Sequence, residues 1–270
     1  MQLTPGEAAR IAETPTANSE AHDLFLRACY LLSDTRKGRE VFDQIISLLN
    51  RAIELDPDYA EAYAGLGMAH NLDFHNHLTG ATDALEVAAR FAALGVEKGP
   101  TVPFVHFAAS LIAVWQRDLD RAKKEAEIAL SLSPNDALAV GALGVVETYL
   151  GNSLAAIQFG EQAIRLDPTF AQQYMHFVGT AYLVAGKYET AAATFRERIR
   201  LAPETDLSRA LLASALGHLD EADEARRVWS DLKKIHPRYS FEEHLARLPF
   251  RNKADADRIA EGLAKAGLPD

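Results

Sequence analysis

What this 270-residue chain lacks already narrows its function. Its single cysteine, Cys29, excludes an internal disulfide and a zinc site built from two or four cysteines, so we expect a reducing, cytoplasmic setting. Basic residues are scarce: 28 Lys and Arg against 38 Asp and Glu give a net charge of −10. This balance argues against nucleic-acid binding and anionic-membrane binding, because phosphates attract Lys/Arg patches. We expect neither a signal peptide in residues 1–20 nor a membrane span, since no run of about 18 apolar residues occurs.

Catalytic signatures are also missing. The chain has no GxxxxGK[ST] loop, no GxGxxG, no HExxH, no GxSxG elbow and no CxxC, and no segment has the pattern of a strand. We therefore expect no enzymatic activity and no cofactor.

One group of residues has the types that bind zinc, namely His70, Asp73, His75 and His77. They lie in a stretch longer than its counterparts elsewhere in the chain. The alternative interpretation is that His70 packs against a neighbouring helix while His75 and His77 lie in an exposed insertion. We favour this second interpretation and predict no metal site.

The organising feature that is present is a period. Six prolines follow helical segments at spacings of 43, 34, 34, 35 and 34 residues: Pro57, Pro100, Pro134, Pro168, Pro203 and Pro237. Small residues precede them in register, as at Ala122, Ala126 and Ala129, which predicts a stripe where a second helix can approach closely. The 47 alanines fit such close helix packing.

This period and motifs such as Tyr63-x-x-Leu66-Gly67 resemble the tetratricopeptide repeat, a helix–turn–helix unit of 34 residues. The resemblance implies an all-α fold, a right-handed superhelix closed by a C-terminal capping helix. We expect a linker at 1–19, six repeats over 20–237 and a cap over 238–270. The predicted helices are 20–33, 39–54, 60–73, 82–95, 103–116, 119–131, 137–150, 153–165, 171–185, 188–200, 206–217, 221–234, a short helix after Ser240, and 254–266.

Helix starts supply a further set of expectations. Asp118, Asn152 and Asp220 stand where N-cap side chains are wanted, and Ser240 with Glu243 forms the pattern of a capping box.

In the repeat family, the first helix of each unit lines a concave groove, and this resemblance assigns the groove residues. The groove is apolar and aromatic, and it lacks the Lys, Asn and Arg with which one sub-class clamps a carboxylate. Two occupants remain open: a helix or extended peptide of a partner protein, or the chain's own tail around Ile259 and Leu263. The predicted partner-binding residues are Phe104, Phe107, Leu111, Trp115, Val145, Tyr149, Gln173 and His176.

Longer stretches, including residues 15–27 and the ending from Leu248 to Pro269, resemble the C-terminal repeat region of bacterial class III adenylate/guanylate cyclase-like proteins. Similar regions follow winged-helix regulatory domains. The resemblance implies a protein-interaction scaffold that regulates a linked or partner signalling domain. An alternative is a sensor module that binds a small apolar ligand in the groove.

Overall fold

The computed structural model describes residues 15–33, 38–205 and 207–268, and their regular structure is entirely helical. The all-α prediction is confirmed, and the observed helix ends lie within three residues of the predicted ones. The α-helices are α1 (Ser19–Ser33), α2 (Arg39–Leu55), α3 (Ala60–Asn76), α4 (Ala84–Lys98), α5 (Pro103–Trp115), α6 (Leu119–Leu132), α7 (Ala137–Leu150), α8 (Ser153–Leu166), α9 (Ala171–Val184), α10 (Tyr188–Leu201), α11 (Leu207–His218), α12 (Ala222–Ile235), α13 (Phe241–Arg247) and α14 (Lys253–Lys265).

By packing, the chain forms two compact units, Met1–Pro134 and Asn135–Asp270. The first unit contains α1–α6 and the second contains α7–α14. Within each unit, successive helices of the repeat region pack against each other. The division into a linker, six repeats and a cap stays a prediction from sequence register.

Within each pair, small residues let the two helix backbones meet. A Cβ added at Gly67 of α3 would lie 3.1 Å from the carbonyl oxygen of Ala88 and 3.2 Å from the amide of Ala92 on α4. In the second unit, the same addition at Gly144 would lie 3.2 Å from the amide of Gly160. The predicted stripe is thus a backbone contact, and its alanines on α4 and α6 are at most 1% exposed: Ala88, Ala92, Ala122, Ala126 and Ala129.

In the pair formed by α9 and α10, a large side chain on the second helix faces a glycine on the first. Phe195 on α10 stands where earlier pairs have a small residue, and it is fully buried. Its ring fills the space above Gly179 of α9, where a Cβ would come within 2.6 Å of the ring. A large side chain opposite a missing one preserves packing density.

The 43-residue spacing between Pro57 and Pro100 is explained in part by α3, which runs three residues beyond its predicted end at 73. Asp73 is 2% exposed, and its carboxylate accepts hydrogen bonds from the Thr79 amide at 2.8 Å and the Thr79 hydroxyl at 2.5 Å. His77 ends the helix in the left-handed conformation at φ 51°. The extra residues are therefore an extra part-turn of helix and a loop held by Asp73.

The favoured interpretation of His70 is confirmed. Its ring stacks on Phe91 of α4 at 5.6 Å between centroids and contacts Phe42 edge-on at 5.7 Å. Burial lowers the pKa of His70, as expected for an imidazole among rings. His75 is not in an exposed insertion, because its ring meets Trp115 at 4.3 Å. Among the described residues no group of three His, Cys, Asp or Glu side chains could hold a metal ion.

Of the four predicted side-chain caps, two are formed and two are not. Asp118 accepts a hydrogen bond from the Arg121 amide at 3.1 Å, and Ser240 accepts one from the Glu243 amide at 3.2 Å, so both caps are confirmed. Asn152 is wrong as a side-chain cap, because its amide nitrogen donates to Glu147 at 2.6 Å instead. Asp220 is also wrong: it is in the left-handed conformation, one residue before the cap position.

A buried ion pair joins α5 to α6. His106 is 4% exposed; its Nδ1 lies 2.6 Å from Glu125 Oε2 and its Nε2 lies 2.9 Å from the Pro100 carbonyl oxygen. Both neighbours are acceptors, so the ring donates to both of them only when the imidazole is protonated. Burial alone would lower the pKa of His106, but the Glu125 and Pro100 hydrogen bonds outweigh it and raise the pKa. The hydrogen bond from His106 in turn lowers the pKa of Glu125.

This pair predicts a pH-dependent stability of the first unit. Because the folded-state pKa of His106 is raised, its contribution is complete below about 6.5 and is lost as the pH rises through the raised value. We expect a lower urea midpoint at about pH 9 than at about pH 6, followed by Trp115 fluorescence in a Trp229→Phe chain. Glu125→Gln should cost about 2 kcal/mol near neutral pH and remove most of this pH dependence.

The matched control is Glu127→Gln, since Glu127 is an exposed acid on the same helix. Equal losses from the two substitutions would show that the effect is one of net charge and not of the buried pair.

Candidate partner-binding surfaces

In the first unit, the predicted residues form one stripe along α5. Phe104, Phe107, Leu111 and Trp115 are each partly exposed, whereas the α5 positions between them are almost all buried. Their spacings of 3, 4 and 4 residues place them on one helix face. We call these four residues the α5 stripe.

Aromatic contacts hold the stripe in place at both ends. The Phe104 ring lies edge-on to Phe25 at 5.6 Å and 5.8 Å from the Phe107 ring. Trp115 meets the His75 ring of α3 at 4.3 Å. The exposed apolar faces are therefore set on fixed side chains, which lowers the entropy cost of binding to them.

The predicted residues of the second unit have a different environment. Val145 and Tyr149 are only 6% and 1% exposed. Gln173 and His176 are partly exposed, and His176 Nδ1 lies 3.2 Å from the Ser208 hydroxyl. The structure thus brings four of the eight residues together on α5 and places the other four in the second unit, two of them buried.

The chain's own ending lies over one of these positions, Tyr149. We call Leu248–Leu268 the tail. The Phe250 ring packs edge-on against Tyr149 at 5.0 Å, and the next amide, of Arg251, donates to the Tyr149 carbonyl at 2.8 Å. In α14, Ile259 and Leu263 are fully buried.

Further along, α14 crosses α9 and α11. Arg258 donates to the Val184 carbonyl at 2.6 Å, and His218 Nε2 donates to the Arg258 carbonyl at 2.8 Å. The Ser214 hydroxyl donates to the Ile259 carbonyl at 2.7 Å. Tyr149, Val184 and His218 are spaced by 35 and 34 residues, and the tail contacts them at the ends of α7, α9 and α11. Of the two occupants left open by the sequence, the tail lies on this face in the second unit.

The crossing of α14 over α11 has no room for side chains. A Cβ added at Gly217 would overlap the carbonyl oxygen of Gly262, and one added at Gly262 would overlap the Ser214 carbonyl oxygen. The sequence-based site omitted Ser214, Gly217 and His218. Their signal was a run of small residues, which by itself points to close packing of some helix but not to which one.

Comparisons with known proteins agree with this geometry. A tetratricopeptide-repeat family model matches residues 107–169. The fold is similar to that of a chain of the Cut9–Hcn1 hetero-tetramer of the APC/C, with a TM-score of 0.65 and 13% identity, covering 90% of this chain and 46% of that one. It is also similar to a thermophilic TPR protein of Thermus thermophilus, with a TM-score of 0.55 and 19% identity over 73% of this chain and 98% of that one. Residues 107–169 thus match the tetratricopeptide repeat, and the fold of the chain is similar to that of tetratricopeptide-repeat proteins.

A relative by sequence is a Rhizobium meliloti (strain 1021) protein that carries the provisional name adenylate cyclase 3. It is 33% identical to this repeat protein over 129 residues, which make up 46% of this chain and 21% of the relative. This chain therefore corresponds to about a fifth of that protein's length.

Two other properties bear on what these repeats can bind. None of the helices in the described ranges combines the length and apolar character needed to cross a bilayer. Beside α9, a depression lined by glycines, Tyr174 and Phe177 has a volume of about 10 Å³, far below that of a small-molecule site. A larger, open depression of about 290 Å³ lies between α1 and α2, beside Leu26 and Tyr30, which are 51% and 74% exposed.

The glycine crossing predicts a sharp steric effect. Gly262→Ala should destabilise the second unit by about 2 kcal/mol, because the new methyl group meets backbone oxygen that cannot rotate away. Urea unfolding of a Trp115→Phe chain, followed by Trp229 fluorescence, measures it. Gly38→Ala is the control, since no atom lies within 4 Å of that added Cβ. A change of similar size in both variants would contradict the crossing as described.

Proposed function

We propose that this repeat protein is a non-catalytic scaffold that binds a partner protein through the α5 stripe. The supporting observation is the contrast along α5: Phe104, Phe107, Leu111 and Trp115 keep exposed apolar surface on a helix that is otherwise buried. Phe and Trp at fixed positions are the residue types that dominate binding energy at interfaces.

The chemistry of the stripe defines the class of partner. All four side chains are apolar, so a matching segment presents apolar side chains at a spacing that reaches them, as an amphipathic helix or an extended peptide does. No acidic or basic side chain belongs to the stripe. We therefore propose that charge contributes little to the affinity, even though the chain carries −10.

The wider role that we propose is regulation of a linked or partner signalling domain in the bacterial cytoplasm. It is supported by the likeness to a protein named as an adenylate cyclase and by the single cysteine. Burial, followed by the negative charge of Glu61, raises the pKa of the Cys29 thiol to about 12, so this thiol is protonated and unreactive at neutral pH. The sensor alternative requires a cavity for an apolar ligand, and the two depressions described above are an open one and one of about 10 Å³.

Substitution of the stripe tests the proposal. Phe107→Ala with Trp115→Ala should weaken binding of an apolar peptide, selected from a displayed library on the wild-type chain, by at least about 30-fold. Fluorescence anisotropy with the labelled peptide measures the change. Quantitative affinity purification with the same variant should lose the native partner.

Leu154→Ala provides the control, because Leu154 is an exposed leucine (66%) on α8 in the other unit. It should leave the affinity unchanged. Unchanged peptide affinity in the double variant, with an unchanged circular dichroism spectrum, would remove the α5 stripe from the proposal.

A further inference from the structure

The tail contacts the second unit through a short series of polar and apolar contacts. The Arg251 amide donates a hydrogen bond to the end of α7, and the Arg258 carbonyl accepts one from the end of α11. The Arg258 guanidinium donates to the end of α9. Beside these hydrogen bonds, Ile259 and Leu263 supply buried apolar surface. Ala266 is also buried, and Phe250 and Leu268 pack against the same cluster, so the apolar contacts run along most of this 21-residue segment.

The same interface contains a destabilising group. Asp255 Oδ2 is buried and has no hydrogen-bond partner, next to Gly151 at the end of α7. Burial raises the pKa of Asp255, although Asn252 and Arg258 act in the opposite direction. A carboxylate with one buried, unpaired oxygen opposes docking at neutral pH, because that oxygen loses its hydration without gaining a partner.

We propose that the tail is a releasable cover, and that its release exposes a second partner-binding face made by Tyr149, Val184, Ser214, Gly217 and His218. The tail itself shows what this face accepts: an aromatic side chain on Tyr149, then a helix with two aliphatic residues four apart and a glycine at the crossing. A partner segment of the same chemistry would compete with it. This face lies in the second unit, so its test does not depend on whether the α5 stripe binds a partner.

Native-state hydrogen exchange of the full chain tests the release. We expect α14 amides to exchange at least tenfold faster than the most protected amides of α9 and α11, through an opening that leaves those helices folded. Asp255→Asn should slow α14 exchange, because the amide removes the buried charge. Exchange of α14 at the rate of α9 and α11, or no slowing in Asp255→Asn, would show that the tail is a permanent part of the core.

Competition in trans tests the exposed face. The probe is a fluorescein-labelled peptide of residues 248–268, added to full-length chains. We expect it to bind Phe250→Ala/Leu263→Ala at least tenfold more tightly than wild type, because the weakened cis tail competes less, and to bind Asp255→Asn less tightly than wild type. Leu154→Ala, the exposed position on α8, is the matched control and should bind as wild type does.

Two results would overturn the proposal. One is absence of peptide binding to a double variant that keeps the wild-type circular dichroism spectrum. The other is cooperative loss of the second unit in that variant, seen as a collapse of Trp229 emission without denaturant. The Asp255→Asn chain, in which a destabilising group is removed, provides the test in which failure to fold is not expected.

Discussion

The structure depends on the close approach of helix backbones at positions where a side chain has no space. Gly67 against α4 and Gly144 against Gly160 set the separation of the two helices in their pairs. Once this separation is fixed, the remaining faces of each first helix have fixed neighbours, since interiors tolerate little change in volume. Where α10 replaces a small residue with Phe195, Gly179 on the facing helix supplies the space, so the constraint is kept by exchange of sizes.

The close approach of the paired helices decides which apolar residues stay exposed. On α5, helix pairing buries most positions and leaves Phe104, Phe107, Leu111 and Trp115 partly open. In the second unit, close backbone approach also positions α14, because Gly217 and Gly262 let this helix lie directly on α11. Within the described residues, the face of the second unit is covered by α14 of its own chain, whereas the α5 stripe keeps exposed apolar surface.

Two polar groups within this apolar framework differ in their hydrogen-bond partners. His106 replaces an apolar contact between α5 and α6 with a charged pair in which both ring nitrogens are bonded. Asp255 is half-buried beside α7, with one oxygen, Oδ2, buried and unpaired. The first ties a helix pair together below the pKa of the imidazole, and the second weakens the attachment of a tail whose other contacts are close-fitting.

The proline period and the small-residue register determined the helices, their order and the buried stripes, because each is a local property repeated six times along the sequence. Predictions from local sequence were wrong where another residue offered a hydrogen bond. The Asn152 side chain donates to Glu147 and does not cap α8, and α3 continues beyond residue 73 because Asp73 accepts a hydrogen bond from the loop after it. The resemblance to the repeat family assigned Tyr149 to the inward face. Its burial under Phe250 could not be assigned in this way, because a repeat position implies which way a residue faces but not what packs on it. That contact joins residues about 100 positions apart, and only the tertiary structure decided it.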